Sequence, residues 1–170
     1  MPTIRRASDA DFDAIWEIFH QVAQGGDTIA SPPETTREEA YQAWMRTPTA
    51  TYVALTDSEI VGTYYLKPNQ EGLGSHVCNA GYLVKSQARR QGIGRAMGLH
   101  SLQEARELGF YAMQFNLVVS TNQTAVRLWQ DLGFSIVGAL PKAFNHKQLG
   151  FVDALVMYQF LNPASTDQPV

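Results

Sequence analysis

Between Tyr82 and Arg95 the chain reads Tyr-Leu-Val-Lys-Ser-Gln-Ala-Arg-Arg-Gln-Gly-Ile-Gly-Arg, a set of residue types suited to holding a phosphate. An apolar strand segment ends at Val84, a polar turn follows, and Gly92 and Gly94 open a helical segment that runs to Leu108. The first amides of a helix have no partner inside it, and the macrodipole places partial positive charge at that end. Arg89, Arg90 and Arg95 add full charges, and the two glycines let the main chain approach a ligand with no Cβ between. Spacing then sorts the known phosphate loops. No Lys-Ser/Thr pair follows the glycines, which excludes a P-loop. A dinucleotide fingerprint needs a third glycine where Met97 stands, and it begins directly after the strand, whereas seven residues separate Val84 from Gly92. What remains is Arg89-x-x-Gly92-x-Gly94, either a phosphate cradle or a glycine turn with solvated arginines.

A second stretch bears on that choice. It runs Asn122-Gln-Thr-Ala125-Val-Arg-Leu128-Trp129-Gln-Asp-Leu132-Gly133-Phe134. Asn122 can cap a helix, Ala125, Leu128 and Leu132 share one face at helical spacing, and Gly133 supplies the left-handed residue that ends it. In this order, with a predicted strand between them, the two stretches resemble the signatures of the GNAT superfamily of N-acetyltransferases. In that family Gln/Arg-x-x-Gly-x-Gly/Ala binds the pyrophosphate of acetyl-CoA, and Asn-x-x-Ala-x-x-Leu-Tyr-x-x-Leu-Gly-Phe follows it. The resemblance covers roughly residues 4–161, and its specific residues lie between Asn79 and Phe134.

The resemblance implies an acetyl-CoA-dependent N-acetyltransferase that moves acetyl directly onto a small-molecule amine, an amino acid or related metabolite, with no metal. It places the pantetheine arm along Tyr82, Leu83 and Val84, between two splayed parallel strands whose free N–H groups would stabilise an oxyanion. Cofactor contacts are expected at Arg89, Arg90, Gln91, Gly92, Gly94, Arg95, Asn122 and Trp129. Two departures from the family pattern stand out. Trp129 occupies the position where many members have a Tyr that protonates the leaving thiolate, and an indole N–H cannot do that. The strand from Ser75 to Lys85 has no carboxylate, where many members use a Glu as base, so the base is unassigned. That strand instead carries Asn79, and the next carries Asn116. Their local sequences, His76 to Val84 and Phe115 to Asn122, resemble the GNAT branch that includes fungal acetyltransferases of proline analogues, azetidine-2-carboxylate among them. By that resemblance Asn79 and Asn116 are catalytic candidates that hold the acceptor and position a water; otherwise they are satisfied core amides.

The acceptor pocket is expected to be walled by the segment from Thr28 to Met45, by Tyr64 and Tyr65, and by a loop from Lys142 to His146 that includes Phe144. His146 is the one histidine to consider as a base, against a solvated surface role. Cys78, amid apolar strand residues, suits an inert thiol better than a covalent intermediate. The rivals are a protein or peptide N-acetyltransferase and a non-catalytic acyl-CoA-binding sensor.

These residues need a scaffold. With 170 residues, 45% of them hydrophobic, one domain over 1–161 is expected, followed by a disordered tail over 162–170. A net charge of −3 gives no sign of a nucleic-acid partner, and one cysteine excludes an internal disulfide. No apolar run is long enough for a bilayer, and the N-terminal segment is acidic where a signal peptide is apolar, so a cytoplasmic protein with no membrane partner is expected. Dimers are common among GNAT proteins, and the resemblance admits a homodimer. The reading along the chain is a strand at Thr3–Arg6, a helix after Ser8, a helix after the Thr36/Glu39 capping box, and a hairpin around Asp57-Ser58-Glu59. Next come a strand to Val84, the phosphate-loop helix, a strand at 110–119, the Asn122 helix and a strand at 135–140. A loop at 141–150 and a strand at 151–161 complete it. A strand, helix and strand in that order imply a parallel pair. The fold class is therefore α/β (α+β): one mixed, mostly antiparallel sheet with a splayed parallel pair, flanked by about four helices.

Overall fold

The computed structural model describes residues 1–161; the tail expected to be disordered, 162–170, lies outside them. Strands β1 (Thr3–Arg6), β2 (Ala50–Thr56), β3 (Glu59–Pro68), β4 (Val77–Val84), β5 (Ala112–Val119), β6 (Ser135–His146) and β7 (Gly150–Phe160) make one sheet in the order β1-β2-β3-β4-β5-β7-β6. Neighbours are antiparallel except β4 and β5. Four α-helices flank the sheet, α1 (Phe12–Gly25), α2 (Arg37–Tyr41), α3 (Ile93–Glu107) and α4 (Gln123–Asp131), so the expected class is met.

Strand alternation sorts the core into two halves. Tyr52, Tyr64, Ala80 and the α3 residues Ile93 and Met97 pack on one face, joined by Trp129 of α4. Val53 and Leu83 face the other way, against Phe12, Ile15 and Phe19 of α1 and Trp44. Trp44 sits in a π turn, Gln42–Arg46, that continues α2, and its indole N–H donates to Thr63 Oγ1 at 3.0 Å. Asp57 and Ser58, at φ 49° and 68°, make the tight turn between β2 and β3, whose two left-handed residues match the twist of the hairpin.

One expectation fails at the sheet edge. Residues 141–150 were expected to form a loop, but β6 continues through Pro141 to His146 and only a short turn precedes β7. The register slips between Leu140 and Phe144, and Lys142 adopts φ 52°. A bulge on an edge strand is where a proline, with no N–H to donate, is tolerated.

The entry to α1 rests on Asp11. Its carboxylate receives both terminal nitrogens of Arg5 at 2.8 and 2.7 Å, and the amide and hydroxyl of Ser8 at 2.7 and 3.0 Å. Hydrogen bonding from Arg5 and then Ser8 holds the Asp11 carboxyl down at about 2, below its ordinary 3.8. A depressed carboxyl stabilises the fold above its unfolded pKa and loses that contribution as pH falls through the folded one. The Arg5 side chain is 45% exposed, so solvent screening trims the gain. Asp11→Asn should therefore cost about 1–2 kcal/mol at pH 7, with the gap from wild type closing between about pH 4 and pH 2 in urea denaturation.

Candidate functional site

The site begins where β4 and β5 part. They pair only at Val77 with Ala112 and Cys78 with Met113. At the fork the Asn79 side chain takes over from the main chain, its Nδ2 donating to the Gln114 carbonyl at 3.0 Å. From there to Val84 the β5-facing edge of β4 has no strand beside it. Two cavities open along the fork, one of about 680 Å3 reaching the start of α3 and one of about 430 Å3 on the α1–α2 side.

The larger cavity is bordered by the turn the sequence singled out. Arg90 at φ 64° and Gly92 at φ 79° are both left-handed, and Gly92 caps α3 with no side-chain bond. The amides of Ile93, Gly94 and Arg95 consequently face outward without an acceptor in the helix. A Cβ at Gly92 would meet nothing within 4 Å, so its dihedral is what favours glycine. At Gly94 an added Cβ would already stand 3.4 Å from Leu128 of α4. Arg89, Arg90 and Arg95 are exposed and join no ion pair among the described residues. Gln91 instead turns back, donating to the Gln87 carbonyl at 3.1 Å. Tyr82 spends its hydroxyl on Ser101 at 2.7 Å, and Leu83 is buried against α1. Asn122 caps α4 as expected, its Oδ1 accepting from the Ala125 amide at 3.2 Å. Trp129 packs between Tyr82 and Phe115, with ring centroids at 4.7 and 4.8 Å, and borders both cavities.

The smaller cavity brings together residues from β3, β4 and β5. Lys67 is in register with Asn79, which puts their side chains on one face of the sheet. The Tyr65 hydroxyl lies 3.4 Å from Asn79 Oδ1, and the Lys67 ammonium sits 5.4 Å from the Tyr65 ring centre. Asn116 borders the same cavity but is exposed, donating to Asn69 Oδ1 at 2.7 Å and accepting from Gln114 Nε2 at 3.0 Å. Lys67 is the only ionised side chain lining this cavity among the described residues, and no carboxylate lines it. Lys67 joins the site only through its register with Asn79, a relation that residue order alone does not display.

Several expectations about the walls need correction. Thr28 to Ser31, Trp44 and Tyr65 do line the smaller cavity, but Tyr64 faces the opposite side of the sheet and holds His100 Nδ1 at 2.6 Å. Phe144 is buried in the long β6 rather than set in a loop. His146 is buried as well, and its Nδ1 accepts the amides of Gln148 and Leu149 at 3.1 and 3.2 Å. Those bonds fix the neutral ring as the Nε2–H tautomer, so the lone pair a base would need is already used. His146 borders the larger cavity. Cys78 is fully buried, and burial pushes its thiol up to about 12, which leaves no thiolate at neutral pH.

A strand fork beside a helix that begins with free amides is the geometry expected of the family named above, and comparison with known sequences decides the point. The acetyltransferase (GNAT) family profile matches residues 12–134. The chain belongs to the GNAT family. An N-acetyltransferase of Schizosaccharomyces pombe, aca1, is 40% identical over 111 residues, which are 65% of this chain and 53% of the relative, so the chain spans about half that protein's length. A GCN5-related N-acetyltransferase from Kribbella flavida has 41% identity and a TM-score of 0.89, covering 94% of this chain and 97% of that one. A GNAT superfamily phosphinothricin acetyltransferase from Sinorhizobium meliloti, solved in complex with AcCoA, has a TM-score of 0.86 at 20% identity, covering 99% of this chain and 93% of that one. At that identity the likeness carries the GNAT fold alone.

Within this GNAT site Gly81 has the least room. A Cβ there would stand 2.6 Å from Cε1 and 2.9 Å from Cζ of Tyr65, whose ring meets Trp44 edge-on at 4.7 Å. Gly81→Ala should force the ring from its seat and cost about 1–3 kcal/mol, read as a lowered urea midpoint with an unchanged m-value.

Proposed function

We propose that this GNAT domain is an acetyl-CoA-dependent N-acetyltransferase whose acceptor is a small amine bearing a carboxylate, an amino acid or imino acid. The larger cavity fits the cofactor by its donors. The free amides of Ile93, Gly94 and Arg95, with Arg89, Arg90 and Arg95, suit a diphosphate, and Gln91 lies beside them. The unpaired edge at Tyr82, Leu83 and Val84 suits the amide-bearing pantetheine arm, which would hydrogen-bond there as an added strand, with Asn122 and Trp129 closing the α4 side. Bound acetyl-CoA supplies an activated acetyl group at the fork. The protein's part is to hold it, to offer main-chain N–H groups to the carbonyl oxygen, and to seat the amine.

One observation carries the acceptor class: a lone ammonium, Lys67, in a cavity with no carboxylate on its wall. A carboxylate would gain a charge-assisted partner there, whereas a polyamine would meet only repulsion. Asn79 and Asn116 then hold the acceptor and a water that takes the amine proton to solvent. Transfer is direct, since the buried Cys78 cannot serve as an acyl carrier. Thiol release from acetyl-CoA should respond to amino acids and proline analogues and not to polyamines; release with peptides alone would favour the protein-acetylating rival, and release with no amine would favour the sensor. Lys67→Met should raise KM for a carboxylate-bearing acceptor about tenfold or more while leaving calorimetric CoA affinity unchanged. Gly94→Val, which fills the approach to the free amides, should weaken CoA binding at least about tenfold, or ~1.4 kcal/mol, in a protein that still folds.

A further inference from the structure

Transfer from a thioester leaves a sulfur anion, and the family's usual proton donor is absent, because Trp129 stands in its place. The place to look for a substitute is where the two cavities meet. Five residues border both: Thr28, Tyr82, Asn122, Ala125 and Trp129. Tyr82 has committed its hydroxyl to Ser101 on the far face of the sheet, and Asn122 is set by its α4 cap, with its oxygen on the Ala125 amide and its Nδ2 in no hydrogen bond among the described residues. Ala125 has no polar side chain, and the Trp129 indole N–H, in no hydrogen bond among the described residues, is fixed in place by the rings around it. Thr28 differs from all of these in being both unpaired and sealed. Its Oγ1 is sealed from solvent and has no hydrogen-bond partner, one of two such side-chain atoms among the described residues. An unpaired buried hydroxyl is a standing cost to the fold, and such a group calls for an explanation. No hydrogen bond anchors it, so χ1 is free to bring Oγ1 to the junction without breaking one.

We infer that the Thr28 hydroxyl is the hydrogen-bond donor that stabilises the cofactor sulfur as it leaves. This rests on the acetyl-transfer reading above. The main-chain amides of the fork already answer the carbonyl oxygen, which leaves sulfur as the atom lacking a partner. As the amine nitrogen bonds to the acetyl carbon, the electron pair of the C–S bond goes to sulfur, and the amine proton goes to solvent water. Thr28 keeps its own proton and donates a hydrogen bond to the thiolate, so it acts as a catalytic residue without acting as an acid.

The test does not need the acceptor to be known. A donor aimed at sulfur lowers the thiol pKa of bound CoA below the ordinary thiol value of ~8.5, so CoA should bind more tightly as pH rises toward that value. Desulfo-CoA, which has no thiol, gives the background from every other titrating group. By calorimetry, the wild-type affinity ratio of CoA to desulfo-CoA should rise about tenfold between pH 7 and pH 10, as a one-unit shift requires. In Thr28→Val, and in Thr28→Ala should the valine not fold, the rise should fall below about threefold, while Thr28→Ser keeps it. Because valine removes an unsatisfied hydroxyl, the ligand-free melting temperature should hold or rise by about 2–4 °C. A full rise in Thr28→Val, a rise lost in Trp129→Phe instead, or no rise in wild type would each overturn the inference and leave the acetyltransferase reading intact. A lower melting temperature together with lost desulfo-CoA affinity would make Thr28 merely structural. Failure of the wild type to bind either nucleotide would overturn the acetyl-transfer reading, and this inference with it.

Discussion

Two parallel strands that stop pairing after Cys78 and Met113 are the constraint from which the rest of the site follows. A central sheet normally satisfies both edges of every inner strand, and an unsatisfied buried main-chain group costs free energy on the scale of a lost hydrogen bond. The fork leaves the β5-facing groups of β4 from Asn79 to Val84 without a strand partner, facing the two cavities. It can do so because each strand is secured elsewhere. β4 stays paired with β3 from Pro68 to Gly62, and β5 with β7 on either side of the Phe115–Val118 irregularity. Side chains on β4 are anchored in both cores, Tyr82 against Trp129 and Leu83 against α1, so the strand cannot drift to close the gap. Asn79 spans the base of the fork with its own amide and so gives the split a definite starting point.

The same split explains why two cavities of different character sit end to end. Along the α3 side the groups on offer are main-chain amides and exposed guanidiniums, which recognise phosphate by charge and direction. On the α1–α2 side the wall includes Tyr65, Trp44, three asparagines and one ammonium, a surface that recognises a small polar molecule by shape and a single charge. The protein carries a net charge of −3 overall, so the positive ends of both cavities are local arrangements rather than a reflection of composition.

Much of this could be read from residue order, and the exceptions have physical causes. Helix caps, Gly-ended helices and the β2–β3 hairpin are local signals, and each matched its element. The cradle was legible at Gly92 and Gly94, although the left-handed Arg90 was not, since nothing in the residue type announces it. Lys67, Tyr65 and Asn79 come together through strand register, a relation between distant segments that no window of sequence contains. The length of β6 was missed because Pro141 usually ends a strand, and here a bulge on the sheet edge absorbs it. His146 is hidden from residue order for the same reason, since it is the buried end of that strand rather than part of a loop.

The β6–β7 turn also ties the loop that carries Thr28 to the rest of the molecule. Lys147 donates its amide to the Gly26 carbonyl at 2.9 Å and its ammonium to the Gln24 carbonyl at 3.1 Å, while the Gln24 side chain reaches the Pro33 carbonyl at 2.7 Å. A Cβ on Gly26 would stand 2.8 Å from the Lys147 Cβ, and its φ of 63° belongs to the left-handed region, so this contact depends on glycine twice over. The segment between α1 and α2 is therefore pinned at both ends, at Gly26 by the turn and at Pro33 by Gln24. Thr28 and the first residues of the acceptor wall lie inside that span. A loop held this way keeps its main chain near one geometry, so that only χ1 of Thr28 has to turn for its hydroxyl to meet a reacting atom. The β6–β7 edge of the sheet thus sets the position of the residues that close the fork.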